Sequence, residues 1–215
     1  MTTETKMPEA MTAGAAWVSR FLLPRLNRRF PTSSSISCLQ LWPDDPTETQ
    51  HLEKSGHRCE MLEPKAGGKL ARPDSSCDFI FTGQFTLRAP DRTARIALAK
   101  EFNRVLRSGG SLLLAMGNRA CPVDLTRNGP RFHGPGAPSC LSLREAREIL
   151  LEQAGFATLE PLGAYGHFGW GSLPGVFRPF GKVLDSYWRL LAAPALSGLY
   201  ASPLNPTLLL WLNKD

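Results

Sequence analysis

The sequence predicts a doubly wound α/β domain, and three observations predict it. Short apolar runs of strand length recur along the chain, stretches with apolar residues at helical spacing separate them, and glycines stand just past the helix ends. Strands alternating with helices imply a largely parallel sheet covered on both faces, because a parallel pair needs a crossover and crossovers are right-handed. The 215 residues, 42% hydrophobic and 20% charged, suit one globular domain that buries roughly 70% of its unfolded surface, which excludes global disorder. Gly 19 and Pro 18 exceed the roughly 12% expected together, so many turns interrupt the regular elements.

The elements follow in chain order. Residues 1 to about 12 are polar and small and carry no signal. From Ala15 to Phe30, Trp17, Val18, Phe21, Leu22 and Leu26 recur at helical spacing with Arg20, Arg25, Arg28 and Arg29 between them, which predicts a basic amphipathic helix kinked at Pro24. Such a helix either lies across the domain edge or offers a patch to an anionic surface. Ile36 to Trp42, Arg58 to Leu62 and Cys77 to Phe81 read as strands, with a short helix in Pro46 to Gly56. Pro90 to Leu106 reads as a helix through Ile96, Leu98, Phe102, Val105 and Leu106, ended by Gly109-Gly110 before a strand at Ser111 to Met116. Ser142 to Ala154 is the clearest helix, with Ser142 as N-cap, Glu145 as its capping-box partner and Gly155 at the end; a strand at Phe156 to Leu162 follows.

Charge and cysteines narrow the setting. A balance of 25 Lys+Arg against 19 Asp+Glu gives +6, far from a nucleic-acid arm, so no nucleic-acid partner is expected. No window reaches 18 consecutive apolar residues and the first residues lack the order of a secretory signal, so a soluble cytoplasmic protein is expected. Cys38, Cys59, Cys77, Cys121 and Cys140 form no C-x-x-C pair, which predicts reduced core thiols and no metal site. His51, His57 and His167 show no ligand spacing either.

The segment DFIFTGQFTLRAPDRTARIALAKEFNRVLRSGGSLLLAMGNR, Asp78 to Arg119, resembles the second half of class I S-adenosylmethionine-dependent methyltransferases of the small type 11 kind. The resemblance rests on Asp78 opening the fourth strand, the loop Pro90-Asp91, the helix end Glu101 with Arg104-Val105-Leu106, and Gly109-Gly110. LSLREAREILLEQAGF resembles the family's last helix, and NPTLLLWLNK its antiparallel seventh strand. The resemblance implies a Rossmann-like, mostly parallel sheet with an antiparallel last strand, over residues 36–162 and 204–214. Only the fourteen residues 64–77 separate Glu63 from Asp78, whereas a helix of about 11, a strand of about 5 and two loops need more, so the fold is expected to be shortened by one βα unit.

In the cofactor half, the same register sets Gln40 where the family has a strand-end acid, and Trp42, Asp44 and Pro46 where it has the glycines of G-x-G-x-G. Those glycines let bare backbone approach the cofactor, whereas an indole and a φ-locked ring cannot trace that path unchanged. The register assigns cofactor contact to Gln40, Asp44, Glu63 and Gln84, with Glu63 toward the ribose hydroxyls and Gln84 at the carboxyl edge of the sheet, its neighbours Gly83 and Phe85 lining the floor. The family's acid-histidine pair falls on Leu87 and Arg88, which supplies no general base; His133, in the loop RFHGPGAP, is the remaining catalytic position.

Residues 1–31 thus form a tail and helix, and 32–215 a methyltransferase-like domain in which 163–203 is an aromatic-rich lid. There Phe168, Trp170, Phe177, Phe180, Tyr187, Trp188 and Tyr200 concentrate, and Val176 to Leu191 has apolar residues at helical spacing. Such a lid suits a small lipophilic acceptor, a partner protein or, like residues 15–30, peripheral membrane contact. Two functions follow from the resemblance: methyl transfer from S-adenosylmethionine to a small acceptor, or a non-catalytic pseudo-methyltransferase, without cofactor, serving as a binding or partner subunit.

Overall fold

The computed structural model describes residues 18–31, 35–42, 47–64, 68–83, 85–121, 123–124, 131–132, 140–162, 179–180, 182–183 and 207–215. A π-helical turn at Val18–Leu22 runs into α1 (Leu23–Arg29), which accommodates Pro24 in its first turn, where no amide hydrogen is needed. There follow β1 (Ser37–Leu41), α2 (Thr47–Lys54), β2 (Arg58–Leu62), β3 (Cys77–Thr82), the short α3 (Phe85–Arg88), α4 (Arg92–Val105) and β4 (Leu106–Asn118). Two-residue strands β5 (Val123–Asp124), β6 (Arg131–Phe132) and β7 (Cys140–Leu141) precede α5 (Leu143–Arg147), which continues as a π-helix at Glu148–Gln153 before β8 (Thr158–Leu162) and β9 (Thr207–Asn213).

The main sheet runs β2-β1-β3-β4-β9-β8, with β7 pairing off the end of β4. Strands β2, β1, β3 and β4 are parallel; β9 is antiparallel to both neighbours. This is the Rossmann-like arrangement with an antiparallel last strand. Among the described residues no strand stands beyond β2 and none lies in the crossover from β2 to β3, which fits a missing unit that would have extended that edge.

Alternate residues of each strand face opposite sides, and in the central strands β1, β3, β4 and β9 both sides are buried over most of their length, which is why these strands read as nearly continuous apolar runs. On one side Leu39, Leu41, Ile80, Leu112, Leu114, Met116, Leu208, Leu210 and Leu212 pack with Leu98, Phe102 and Val105 of α4 and with Ala146, Ile149 and Leu150. On the other, Cys38, Phe79, Phe81, Leu113, Ala115, Leu209 and Trp211 pack with Val18, Leu22 and Leu26 and with Leu52 of α2. The basic helix is therefore a layer of the domain. Arg25 lies 5.0 Å from the centroid of the Trp211 ring and pairs with Glu160, while Arg29 donates to the Gly109 carbonyl at 2.8 Å.

Two expected boundaries move. Gly109-Gly110 does not end a helix before a later strand; β4 already begins at Leu106, and Gly109, at φ +75, sits inside it. The last helix keeps its capping box, Ser142 Oγ accepting from Glu145 N at 3.2 Å and Glu145 Oε2 from Ser142 N at 2.9 Å, but its second half is wound as a π-helix, with Ala154 N donating to Ile149 O. Asp44, Pro46, Gln84 and His133 lie outside the described residues, as does the proposed lid apart from residues 179–180 and 182–183.

Candidate functional site

Strand β1 sits between β2 and β3, so its crossovers leave to opposite sides, and a crevice opens beyond the carboxyl ends where they diverge. The residue at that point is Trp42. Its backbone holds φ +48, a conformation that disfavours a side chain, and its amide donates to Leu62 O at 3.1 Å. The indole is 7% exposed and belongs to the core cluster with Leu70, Phe85 and Leu98. Position 42 thus keeps a glycine-like backbone while filling the space beneath it with a large ring. Arg88 stands over that ring, its guanidinium carbon 5.9 Å from the centroid.

Beside the indole is an open cleft of about 510 Å³, walled by Trp42, Pro64 and Gly68 on one side and by Arg88, Thr93 and Ala97 on the other. Small residues on the first half of α4, Ala94 and Ala97, make room for it. Asp91 caps that helix by accepting from Ala94 N at 2.8 Å. Behind it the buried Arg95 donates to Ala89 O at 2.8 Å and Pro90 O at 2.9 Å; burial, then the neighbouring Arg119, pushes its pKa below the usual guanidinium value. The shortened crossover at the other wall is fastened to α4. Glu101 accepts from Leu70 N at 2.8 Å, and Arg104, paired with that carboxylate, donates to the carbonyls of Leu70 and Arg72 and pairs with Asp74. The Arg104 hydrogen bond, against the opposing effect of burial, lowers the Glu101 pKa. The E-x-x-R spacing therefore serves the crossover.

The predicted site residues separate. Gln40 is buried at 8% exposure, its amide oxygen taken by the Thr49 hydroxyl of α2, so it is aimed away from the cleft and into the α2 side of the sheet. Glu63 is exposed just past β2, next to Pro64 in the cleft wall. Phe85, expected on the floor of the site, is fully buried core, 6.0 Å from Phe102 between ring centroids. Asp78, read as a motif residue, is structural: it accepts from Ser37 N at 2.8 Å and pairs with Arg107 at 3.1 Å. Sequence reasoning did not single out Arg95 or the Thr93-Ala94-Ala97 wall; the run of small residues on one face of α4 was the available signal. No cluster of His, Cys, Asp or Glu able to hold a metal occurs among the described residues, and none of their helices is long and apolar enough to cross a membrane.

A doubly wound sheet with an antiparallel last strand and a crevice at the β1 switch point defines the class I S-adenosylmethionine-dependent methyltransferase fold, and solved structures share it. The chain is similar to a protein assigned as a methyltransferase of an antibiotic biosynthesis pathway in Anabaena variabilis, at 12% identity and TM-score 0.56 over 90% of this chain and 96% of that one. It is similar to a SAM-dependent methyltransferase of Methanosarcina mazei at 12% identity and TM-score 0.51, over 89% and 97%. A Haemonchus contortus phosphoethanolamine N-methyltransferase, solved with phosphomonomethylethanolamine and S-adenosylhomocysteine, aligns at 11% identity and TM-score 0.52, over 96% of this chain and 58% of that one. No protein-family model and no curated protein sequence matches the chain.

The fold implies S-adenosylmethionine, yet the residues at its cradle do not fit it. Where bare backbone is needed stands a buried indole, and the strand-end side chain is an amide already bonded to Thr49. Among the candidate cofactor residues that the structure describes, Gln40 and Glu63, it is the exposed Glu63 that stands beside the crevice.

Proposed function

We propose that this chain is a methyltransferase-fold binding subunit that does not hold S-adenosylmethionine in the family's manner and serves a partner protein in place of a transfer reaction. The observation that carries this is Trp42, whose buried ring and positive φ make the first position of the altered motif part of the core. A ring packed in the core cannot be traded for a cofactor without losing stability. The reading includes a reducing, cytoplasmic setting, supported by five free cysteines.

A second reading is favoured by a separate observation. The cleft of about 510 Å³ is within the roughly 300–1,000 Å³ of small-molecule sites, and it opens beside Glu63. It supports methyl transfer to a small lipophilic acceptor with the donor lying to the β2 side of its usual path. Calorimetric titration of the full chain with S-adenosylmethionine and S-adenosylhomocysteine separates the two. No heat and no thermal shift at millimolar ligand is the expected result; saturable binding with a raised melting temperature overturns the first reading and supports the second.

A further inference from the structure

Strands β1 and β2 are parallel neighbours in which Cys38 and Cys59 are register partners, so the two side chains leave the sheet on the same face, side by side. Parallel strands run about 4.8 Å apart, within the roughly 4.4–6.8 Å that a disulfide needs between Cα atoms. A small void of about 10 Å³ is lined by both cysteines together with Gln40, Thr49, Leu52 and Phe81. Access differs between the partners: Cys38 is 4% exposed, while Cys59 is half-buried because β2 is the outermost strand on that side. A strand placed outside β2, as in the unshortened fold, would cover it.

From this juxtaposition we infer that Cys38 and Cys59 are a redox-active dithiol, closed to a disulfide by exchange with a low-molecular-weight disulfide. The exchange runs in two displacements. The Cys59 thiolate attacks one sulfur of the small disulfide, whose S–S bond breaks and releases a first small thiol. Cys38 then gives its proton to solvent and attacks the Cys59 sulfur, expelling the second small thiol. Two protein thiols are oxidised and one small disulfide is reduced to two thiols. The order follows from access: the adjacent Cys59 and burial both push the Cys38 pKa up, which keeps the buried partner a thiol. Cys77 does not compete, since its thiol donates to the Val105 carbonyl at 3.7 Å on the other side of the core. Closure would tie the edge strand to β1 two residues before Gln40 and four before Trp42, independently of whether the cleft holds a methyl donor.

The test uses the reduced full chain, equilibrated in reduced and oxidised glutathione buffers, quenched and mapped without reductant. The expected result is loss of the mass of two hydrogen atoms, a peptide joining Cys38 to Cys59, recovery on adding dithiothreitol, and protection by one equivalent of phenylarsine oxide. Cys59→Ser abolishes the bridge and Cys121→Ser leaves it. Five free thiols at every ratio, a glutathione adduct that never resolves, or a bridge between other cysteines overturns the inference, and wild-type mapping decides this even if a variant fails to fold.

Discussion

At the scale of single residues, Trp42 sets two magnitudes against each other. A non-glycine residue in the left-handed region costs about 1–2 kcal/mol, which glycine would relieve. Removing a buried Trp side chain from a packed core costs about 3–5 kcal/mol. The indole is 7% exposed and contacts a cluster that includes Leu41, Leu70 and Leu98, so the cavity outweighs the strain. Trp42→Gly is therefore expected to lower unfolding free energy by about 2–4 kcal/mol in urea denaturation. It also leaves Gln40 bonded to Thr49, so it does not by itself create donor binding. A variant as stable as the parent would show that the ring is not seated in the core, and the case against the cofactor would weaken with it.

At the scale of elements, the first residues of β4 show how unlike two adjacent glycines are. A Cβ on Gly110 would stand 2.8 Å from Arg107 O and 3.1 Å from Asp78 O, both backbone atoms that cannot step aside. A Cβ on Gly109 meets nothing within 4 Å, and only its φ of +75 resists. Gly110→Ala is expected to cost about 3 kcal/mol or more through forced backbone shifts, and Gly109→Ala about 1–2 kcal/mol. Thermal unfolding of the pair checks this, and equal losses would contradict the distinction. The same stretch marks what was legible in the sequence. Local patterning found the described helices around Leu26, Leu52, Phe102 and Ile149 and the strands β1 to β4 and β8, and the Ser142–Glu145 box is realised as read, because caps and faces are local, whereas β9 was read from the resemblance. Where β4 begins was not legible, since extended backbone at Leu106 follows from pairing with Cys77 across the sheet. Nor was the fate of Gln40: the register could set it at the strand end, but only packing with α2 brings the Thr49 hydroxyl to its amide.

At the scale of the whole molecule, the shortening of the sheet by one βα unit could be anticipated because a missing unit changes chain length between two recognisable strands, and length is visible in sequence. Which surface the basic helix would choose was not visible, because its arginines suit an anionic surface and a sheet face equally well. The structure shows Val18, Leu22 and Leu26 at most 1% exposed against the face that bears Phe79 and Trp211, whose rings stack at 5.6 Å. Burying three such side chains contributes roughly 5–9 kcal/mol at about 1.5–3 kcal/mol each. A domain of this kind is stable by only about 5–15 kcal/mol, so the helix supplies a large part of what holds the fold. Removal of residues 1–31 is thus expected to leave a chain with near-native far-UV circular dichroism, lost near-UV signal and strong binding of an apolar dye, since one side of the sheet is then uncovered. A truncated chain that keeps its near-UV signal and binds no dye would mean that the helix is an appendage, and its four arginines would be free to serve another surface.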